Sequence, residues 1–325
     1  GHPVKLMFDR ATDSRFDCVR SPSVCAFEAT FDADGALTGV DHAVAAGWPT
    51  KGMAPGFLGT GIDGKGKFDG FSISGADHWY SLPSHRVRAM NNELAQSTFL
   101  PGWLRAVGPG WISWGVESFL DEIADQMGQD PVAMRMGLLD GAGKNAGGEG
   151  STVGGAKRLA AVLKDVSERA GWGREMPVNE GLGVAVGHGQ ERGMPTWIAC
   201  VAHVAVDPSS GDVTLKKLWQ TIDVGTVVNP DGAMAQAEGA ALWGVSLALH
   251  EGAQFANGEV LEQNLDRYTP LRMSDVPELD IAFVDSDEFP SGLGEPPLIP
   301  VAPAIGNAIF AATGQRVREL PIKLV

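Results

Sequence analysis

Glu295 stands in a setting that an ordinary surface glutamate does not require. It follows Gly292 and Gly294 and precedes Pro296 and Pro297 in the stretch GLGEPP (292–297). The glycines let the backbone approach another group closely. The prolines fix φ and remove two backbone donors, so the carboxylate ends a strand or turn rather than sitting inside a helix. Held in this way, a carboxylate can act as a general base on a nucleophile within hydrogen-bond reach. A solvated loop glutamate is the plain alternative. Leu100–Gly110 (LPGWLRAVGPG) sets Arg105, Ala106, Val107 and Gly108 among further glycines and prolines. Such a chain stays extended and can bring its amides against a ligand, although a surface arginine in a loop looks the same. In the Ala-rich run after Asn229–Pro230–Asp231, Gln236 and Glu238 interrupt an apolar face of Met234, Ala237, Ala241, Val245 and Leu249. A buried amide on that face needs a partner, or it costs about 1–3 kcal/mol. A ligand could supply the partner, and so could a helix cap or an interhelical hydrogen bond. His188, Gln190, Glu191 and Arg192 invite an acid–base or metal reading, but their spacing matches no metal template, and no metal ligand is assigned in this chain. His203 alternates with apolar neighbours and reads as a structural histidine on a strand.

These groups need elements to hold them. Val4–Asp9 reads as a strand, and Ser23–Asp32 and Gly35–Ala45 as two more joined through Asp34–Gly35. Residues 47–79 are glycine-rich and aperiodic, so they read as a long surface or cleft loop. Its aromatics, among them Trp48, Phe57 and Phe71, serve local packing or line a substrate funnel. An amphipathic helix is expected over Val116–Gly128. Asp130 and Pro131 supply the cap and first residue of a helix to Leu139. Gly141–Gly155 (GAGKNAGGEGSTVGG) is the sharpest break in composition. It lacks the order of a phosphate-binding loop, and it divides a domain at 1–140 from one at 156–325 as the linker 141–155. A helix over Ala156–Ala170 and strands at Gly181–Val186, Ile198–Asp207 and Val213–Ile222 follow. In Ala302–Ala312 the small residues Ala304, Ala308 and Ala312 recur every fourth position, so another backbone or a ligand can come close. Gly314 is placed to cap that helix.

Composition narrows the function classes. With 325 residues, 44% hydrophobic and 20% charged, the chain can bury large cores, and its length suggests about two domains. A net charge of −15 argues against nucleic acid as a partner. Cys18, Cys25 and Cys200 form no C-x-x-C pair, and three thiolates are too few for an iron–sulfur cluster. Free thiols are a simpler reading than a Cys18–Cys25 disulfide. No apolar run approaches the roughly 18 residues that span a membrane.

Several ordered blocks share one resemblance. VKLMFDR (4–10), the run 105–132, the run 223–249, NLDRYTPLRM (264–273), GLGEPP (292–297) and APAIGNAIFAATGQRVRELPI (302–322) resemble, in order, the molybdenum-binding subunit of the xanthine oxidase, or molybdenum hydroxylase, family. The isoquinoline 1-oxidoreductase β-subunit branch is the nearest in pattern. The resemblance implies an α+β fold of two mixed α/β-sheet domains of the molybdenum-cofactor-binding type. It implies that Glu295 is the base beside the metal. It also implies that Arg105, Ala106, Val107 and Gly108 pass the dithiolene end of the pterin, that Gly294 lies against the cofactor, and that Gln236 donates to the pterin. Asp9, Arg10 and Arg20 match a stretch read as structural. A strand over Trp79–Arg88 is implied by the same resemblance.

The same resemblance sets expectations for the assembly. The cofactor is molybdopterin in its cytosine dinucleotide form, and [2Fe–2S] clusters sit in a separate iron–sulfur subunit. The family's G-G-G-F-G-R-R-like and M-G-Q-G-like segments are missing here. The N-terminal half of the molybdenum subunit is therefore expected as a separate chain. The substrate is a small N-heterocycle or aldehyde, oxidised with water-derived oxygen, and a cytochrome c is a candidate electron acceptor. A periplasmic or membrane-associated location is favoured over the cytoplasm. The rival reading is a non-catalytic scaffold that completes the fold of a partner chain. A carbohydrate enzyme with paired carboxylates is weaker still, because no pair has a supporting context.

Overall fold

A computed structural model describes residues 1–62, 64–140, 155–189 and 195–324. Most of the expected linker, and Gln190, Glu191 and Arg192, lie outside the described residues. The chain enters a short helix, α1 (Arg10–Phe16), capped by Asp9, whose Oδ1 accepts the Thr12 amide at 2.8 Å. The strand expected at Val4–Asp9 does not form. No strand lies alongside it among the described residues, and Val4, Leu6, Met7 and Phe8 are 63–90% exposed. An extended segment becomes a strand only when a neighbouring edge takes its backbone hydrogen bonds.

The hairpin forms as expected, with β1 (Ser23–Phe31) antiparallel to β2 (Leu37–Ala46). Residues 47–79 are not an open loop. They fold into α2 (Pro49–Met53), a small ribbon of β3 (Gly59–Thr60) and β4 (Lys67–Phe68), and α3 (Gly70–Ile73). The cause is Asp69, a fully buried carboxylate. It accepts the amide and hydroxyl of Thr50, the amide of Phe71, and the amide and hydroxyl of Ser72, at 2.7–3.3 Å. The next strand, β5 (His85–Asn91), starts later than expected and pairs in parallel with β2, completing a three-stranded sheet. α4 (Glu93–Thr98) follows, then α5 (Pro109–Gln126), which begins well before Val116 because Pro109 suits the first helical position. Asp130 caps α6 (Pro131–Leu138) by accepting the Ala133 amide at 2.8 Å.

The second half is built on α7 (Gly155–Ala170), β6 (Glu180–Gly189), β7 (Thr196–Val206), β8 (Val213–Asp223) and α8 (Pro230–Leu249). A ribbon of β9 (Phe255–Ala256) and β10 (Glu259–Val260), the strand β11 (Glu278–Phe283) and α9 (Val301–Thr313) complete it. The sheet runs β11-β8-β7-β6, with β11 parallel to β8 and the other pairs antiparallel. Side chains alternate across a strand. Val184, Val186, Ala199 and Val201 therefore pack with Leu159, Leu163 and Val166 of α7, while Ala185, Cys200, Ala202 and Leu218 pack with Ile305, Ala308 and Ile309 of α9. The close approach expected of α9 is made to β6, where a Cβ on Gly183 would stand 2.1 Å from the Ala308 nitrogen. The window Pro296–Thr313 is in fact long and apolar enough to cross a membrane, but 78% of it is buried inside the fold, as in a core helix.

α5 lies between the two halves. Val116 and Leu120 join the core with Val40 and Val44 of the first sheet, and a Cβ on Gly306 of α9 would meet the Trp114 ring at 2.8 Å. At the joint, Arg135 of α6 (0% exposed) donates to Glu117 (2%), through Nε to Oε2 at 2.9 Å and through Nη2 to the backbone carbonyl at 2.8 Å. Tyr80 donates to Oε1 at 2.9 Å, and the Val186 amide of β6 to Oε2 at 3.2 Å. Removing one member of such a pair leaves a buried charge. Arg135→Met should destabilise the protein by about 3–5 kcal/mol. The double variant Glu117→Gln/Arg135→Met should lose less than the sum of the two single losses. Denaturant unfolding of all three variants checks this, and strict additivity would show that the pair is not coupled.

Candidate functional site

Three stretches far apart in sequence meet at one place: residues 104–108, the first half of α8, and residues 291–298. Arg105 ties them together. Its Nε donates to the Gly294 carbonyl, and its Nη2 to the Gln236 carbonyl at 3.4 Å. Its guanidinium also lies 5.8 Å from the Trp243 ring, within cation–π range.

The turn that carries Glu295 is pinned at several points. Ser291 N donates to Val224 O at 2.9 Å, and the Thr196 hydroxyl donates to Gly292 O. Gln220, fully buried on β8, donates through Nε2 to Pro297 O at 2.7 Å. Glu295 itself caps a single 3₁₀ turn, Pro296–Leu298, and its carbonyl accepts the Leu298 amide at 3.1 Å. Glu295 therefore precedes a turn rather than ending one; the prolines begin that turn, and the half-buried Glu295 lies outside any α-helix, as expected. Leu298 and Ile299 then pack with Ala106 and Ala240, which joins the turn to the arginine loop.

The loop at 104–108 is unusual backbone. Ala106 adopts φ 59°, a left-handed conformation that costs a non-glycine residue of order 1–3 kcal/mol. Its side chain is wholly buried. Gly108 touches the α3 region so closely that a Cβ there would stand 2.4 Å from the Phe71 carbonyl oxygen. Beneath the loop lies Arg20, which the sequence reading treats as structural. Arg20 Nη1 donates to Ala106 O at 3.2 Å and Val107 O at 3.0 Å, and Nη2 to Arg105 O at 2.7 Å. Burial lowers the basicity of Arg20 to about 10, opposed by the nearby charge of Glu295. Arg105 is lowered by the same cause and opposed by the same carboxylate. The charge of Glu295 therefore acts on both guanidinium groups.

Gln236 is exposed rather than buried. The buried face of α8 runs through Ala237, Ala240, Ala241, Gly244, Val245 and Ala248, and its first half is not covered by the rest of the described chain. An exposed amide at this position is open to a ligand and leaves no unsatisfied group. The other sequence candidates fall elsewhere. His203 bonds Glu180 at 2.6 Å on the sheet, the structural role expected of it. His188 packs against Trp79 and Trp197, and its buried Nε2 has no hydrogen-bond partner among the described residues. Cys18, Cys25 and Cys200 are free thiols, and among the described residues no His, Cys, Asp or Glu group is placed to hold a metal ion. Sequence reasoning missed Arg20, Gln220 and Thr196 as members of this site, because their partners are backbone carbonyls distant in the chain.

A carboxylate on a turn bonded by Arg105, beside a tight amide loop and an exposed side-chain amide, suits an anionic cofactor held next to a proton acceptor. Residues 1–137 and 155–277 each match a family model described as a molybdopterin cofactor-binding domain. The chain belongs to the molybdenum hydroxylase family. Among its relatives, the membrane-bound aldehyde dehydrogenase [pyrroloquinoline-quinone] of Gluconacetobacter polyoxogenes is 52% identical over 324 residues, covering 99% of this chain and 42% of that protein. The isoquinoline 1-oxidoreductase subunit beta of Brevundimonas diminuta is 29% identical over 325 residues, covering 99% and 39%. The chain thus spans less than half the length of either relative. Aldehyde oxidoreductase from Desulfovibrio gigas superposes with a TM-score of 0.70 at 15% identity, over 95% of this chain and 49% of that one. Quinoline 2-oxidoreductase from Pseudomonas putida 86 gives 0.70 at 12%, over 95% and 61%. These two likenesses establish the α+β fold of a molybdenum hydroxylase.

Gln220 is the buried support of the turn that follows Glu295. Gln220→Leu keeps the volume but leaves Pro297 O unpaired in the core, which should cost about 1–3 kcal/mol. The shift in thermal midpoint measures it. A midpoint equal to wild type would mean that the turn holds without Gln220.

Proposed function

We propose that this chain supplies the catalytic base and one cofactor-holding wall of a molybdenum-dependent hydroxylase that oxidises an aldehyde or an N-heterocycle with water-derived oxygen. The observation that carries this reading is the convergence of Glu295, Arg105 and Gln236 in one site. The groups there fit molybdopterin, whose phosphate and dithiolene are anionic: the Arg105 guanidinium, a sharply turned backbone loop and an exposed amide. The 105–108 loop would hold the dithiolene end, with Gly294 beside it, and Gln236 would donate to the pterin. When bound, molybdopterin supplies the redox centre that accepts two electrons. The work of Glu295 is to take a proton. Its carboxylate removes the proton from the attacking hydroxyl as the oxygen bonds to an electron-poor carbon of the substrate, an attack that the protonated nucleophile makes poorly. The pinned turn at 291–298 holds the carboxylate in reach before substrate arrives.

The wider assembly follows from the same reading. The cofactor is the cytosine dinucleotide form, and electrons leave through [2Fe–2S] clusters in an iron–sulfur subunit, since three cysteines cannot bind one here. The remaining part of the molybdenum subunit provides the other wall, and a cytochrome c accepts the electrons. The family matches end at 137 and resume at 155, which supports two domains, 1–140 and 156–325, joined at 141–155. The location is periplasmic or membrane-associated, and the membrane-bound relative supports the membrane association.

The name of that relative offers a second reading, an aldehyde dehydrogenase that uses pyrroloquinoline quinone. The two molybdopterin-domain matches favour the first. Elemental analysis for molybdenum beside extraction of the quinone from the purified assembly decides between them.

For the base, Glu295→Gln keeps size and hydrogen bonding but cannot take the proton. A positioned general base contributes about 10²–10⁴-fold, so turnover per bound molybdenum should fall at least about a hundredfold with metal content unchanged. Near wild-type reduction of the metal by substrate in a single turnover would place the base elsewhere. Gln236→Ala should do the reverse. Molybdenum content should drop while turnover per bound metal stays close to wild type, and the exposed position means that stability is unaffected. Unchanged metal content would remove Gln236 from the cofactor site.

A further inference from the structure

Three consecutive carbonyls, of Arg105, Ala106 and Val107, all accept from the one guanidinium of Arg20. Neighbouring carbonyls in extended chain point to opposite sides, so one side chain can collect three in a row only where the backbone turns sharply. Ala106 at φ 59° makes that turn. In a planar trans peptide the N–H points opposite to the C=O. Turning these carbonyls toward Arg20 therefore turns the amides of Ala106, Val107 and Gly108 away from it. Successive amides around a left-handed residue form a concavity that favours anions.

Arg20 has a firm base from which to act. Val19 pairs with Pro101, with Val19 N donating to Leu100 O and Gly102 N to Val19 O, both at 2.9 Å. The first turn of α5 closes the other side, where a Cβ on Gly110 would stand 3.0 Å from both terminal nitrogens of Arg20. The arginine is thus fixed against the loop that it organises. The same loop carries Arg105, whose side chain reaches the Gly294 and Gln236 carbonyls.

We propose that Arg20 is a positioning residue of the active site: it turns the amides of Ala106–Gly108 toward the anionic end of the cofactor and, through Arg105, sets the turn that carries Glu295. The proposal rests on the molybdopterin reading above. It adds a residue that touches neither substrate nor cofactor but decides the shape of the loop that does.

The test uses the assembled protein with Arg20→Lys and Arg20→Gln, in parallel with wild type and Glu295→Gln. Lysine keeps the charge but loses the planar fork. Both variants should remain folded by circular dichroism. Hydrogen exchange of peptides spanning 104–110 should quicken in both. The molybdopterin concentration that half-loads the metal-free assembly should rise about tenfold or more in Arg20→Gln, the scale of a lost hydrogen bond to a charged group, with partial recovery in Arg20→Lys. Loading and loop exchange within twofold of wild type in both variants would overturn the proposal. If Arg20→Gln does not fold, Arg20→Lys carries the test alone, and wild-type loading in that variant is the overturning result. Normal turnover by Glu295→Gln would sink the base assignment instead, and it leaves the loading and exchange results for Arg20 intact.

Discussion

The buried pair of Glu117 and Arg135 is the interaction on which the arrangement of the chain turns. Two charges taken out of water are costly unless each finds several partners. Here the partners come from different parts of the fold: Tyr80 from the segment before β5, Val186 from β6, and Arg135 from α6. Asn307 of α9 donates to the carbonyls of Val184 at 3.0 Å and Glu117 at 3.4 Å, which draws in the last helix as well. Satisfying one carboxylate therefore sets α5, α6 and β6 relative to one another, and Asn307 ties α9 to the backbone of the same joint. The apolar core around it is continuous, with Val40 and Val44 of the first sheet in the same cluster as Val184 and Trp219 of the second.

The candidate site lies at the edges of that joint. The loop at 104–108 leads directly into α5, and the 3₁₀ turn after Glu295 leads directly into α9, so the two segments inherit their spacing from helices packed in the core. Gly183 and the alanines of α9 permit that packing, since any side chain at Gly183 would collide with the helix backbone. Arg105 then spans the short remaining gap by bonding to carbonyls on the other two segments. The rigid part of the site is thus backbone held by buried side chains. In the proposed reading, the chemistry is left to one carboxylate and cofactor contact to an exposed amide.

Much of this was legible in the sequence, and for identifiable reasons. The Asp34–Gly35 hairpin, the Asp130 cap, the Gly314 stop and the small-residue face of α9 are local rules, satisfied by residues within a few positions of one another. The setting of Glu295 was equally local, two glycines before it and two prolines after. The polar centres were not legible. Asp69 gathers five donors from 50, 71 and 72 and turns an apparently featureless stretch into small elements. Arg20 reaches carbonyls more than eighty positions away. Neither leaves a periodic trace, because a side chain that bonds to distant backbone imposes no pattern on its neighbours.

The amino-acid sequence by itself determined the family, the α+β fold class and the candidate residues for the chemistry, since these depend on residue type and short spacing. Tertiary structure decided which of those residues meet. Gln236, expected to be buried, stands exposed on α8, and His203 is consumed by Glu180 on the sheet. The apolar run at Val4–Phe8 remains without a strand partner among the described residues. Burial and pairing are properties of what packs alongside. A chain specifies these only once its helices and sheets have closed on one another.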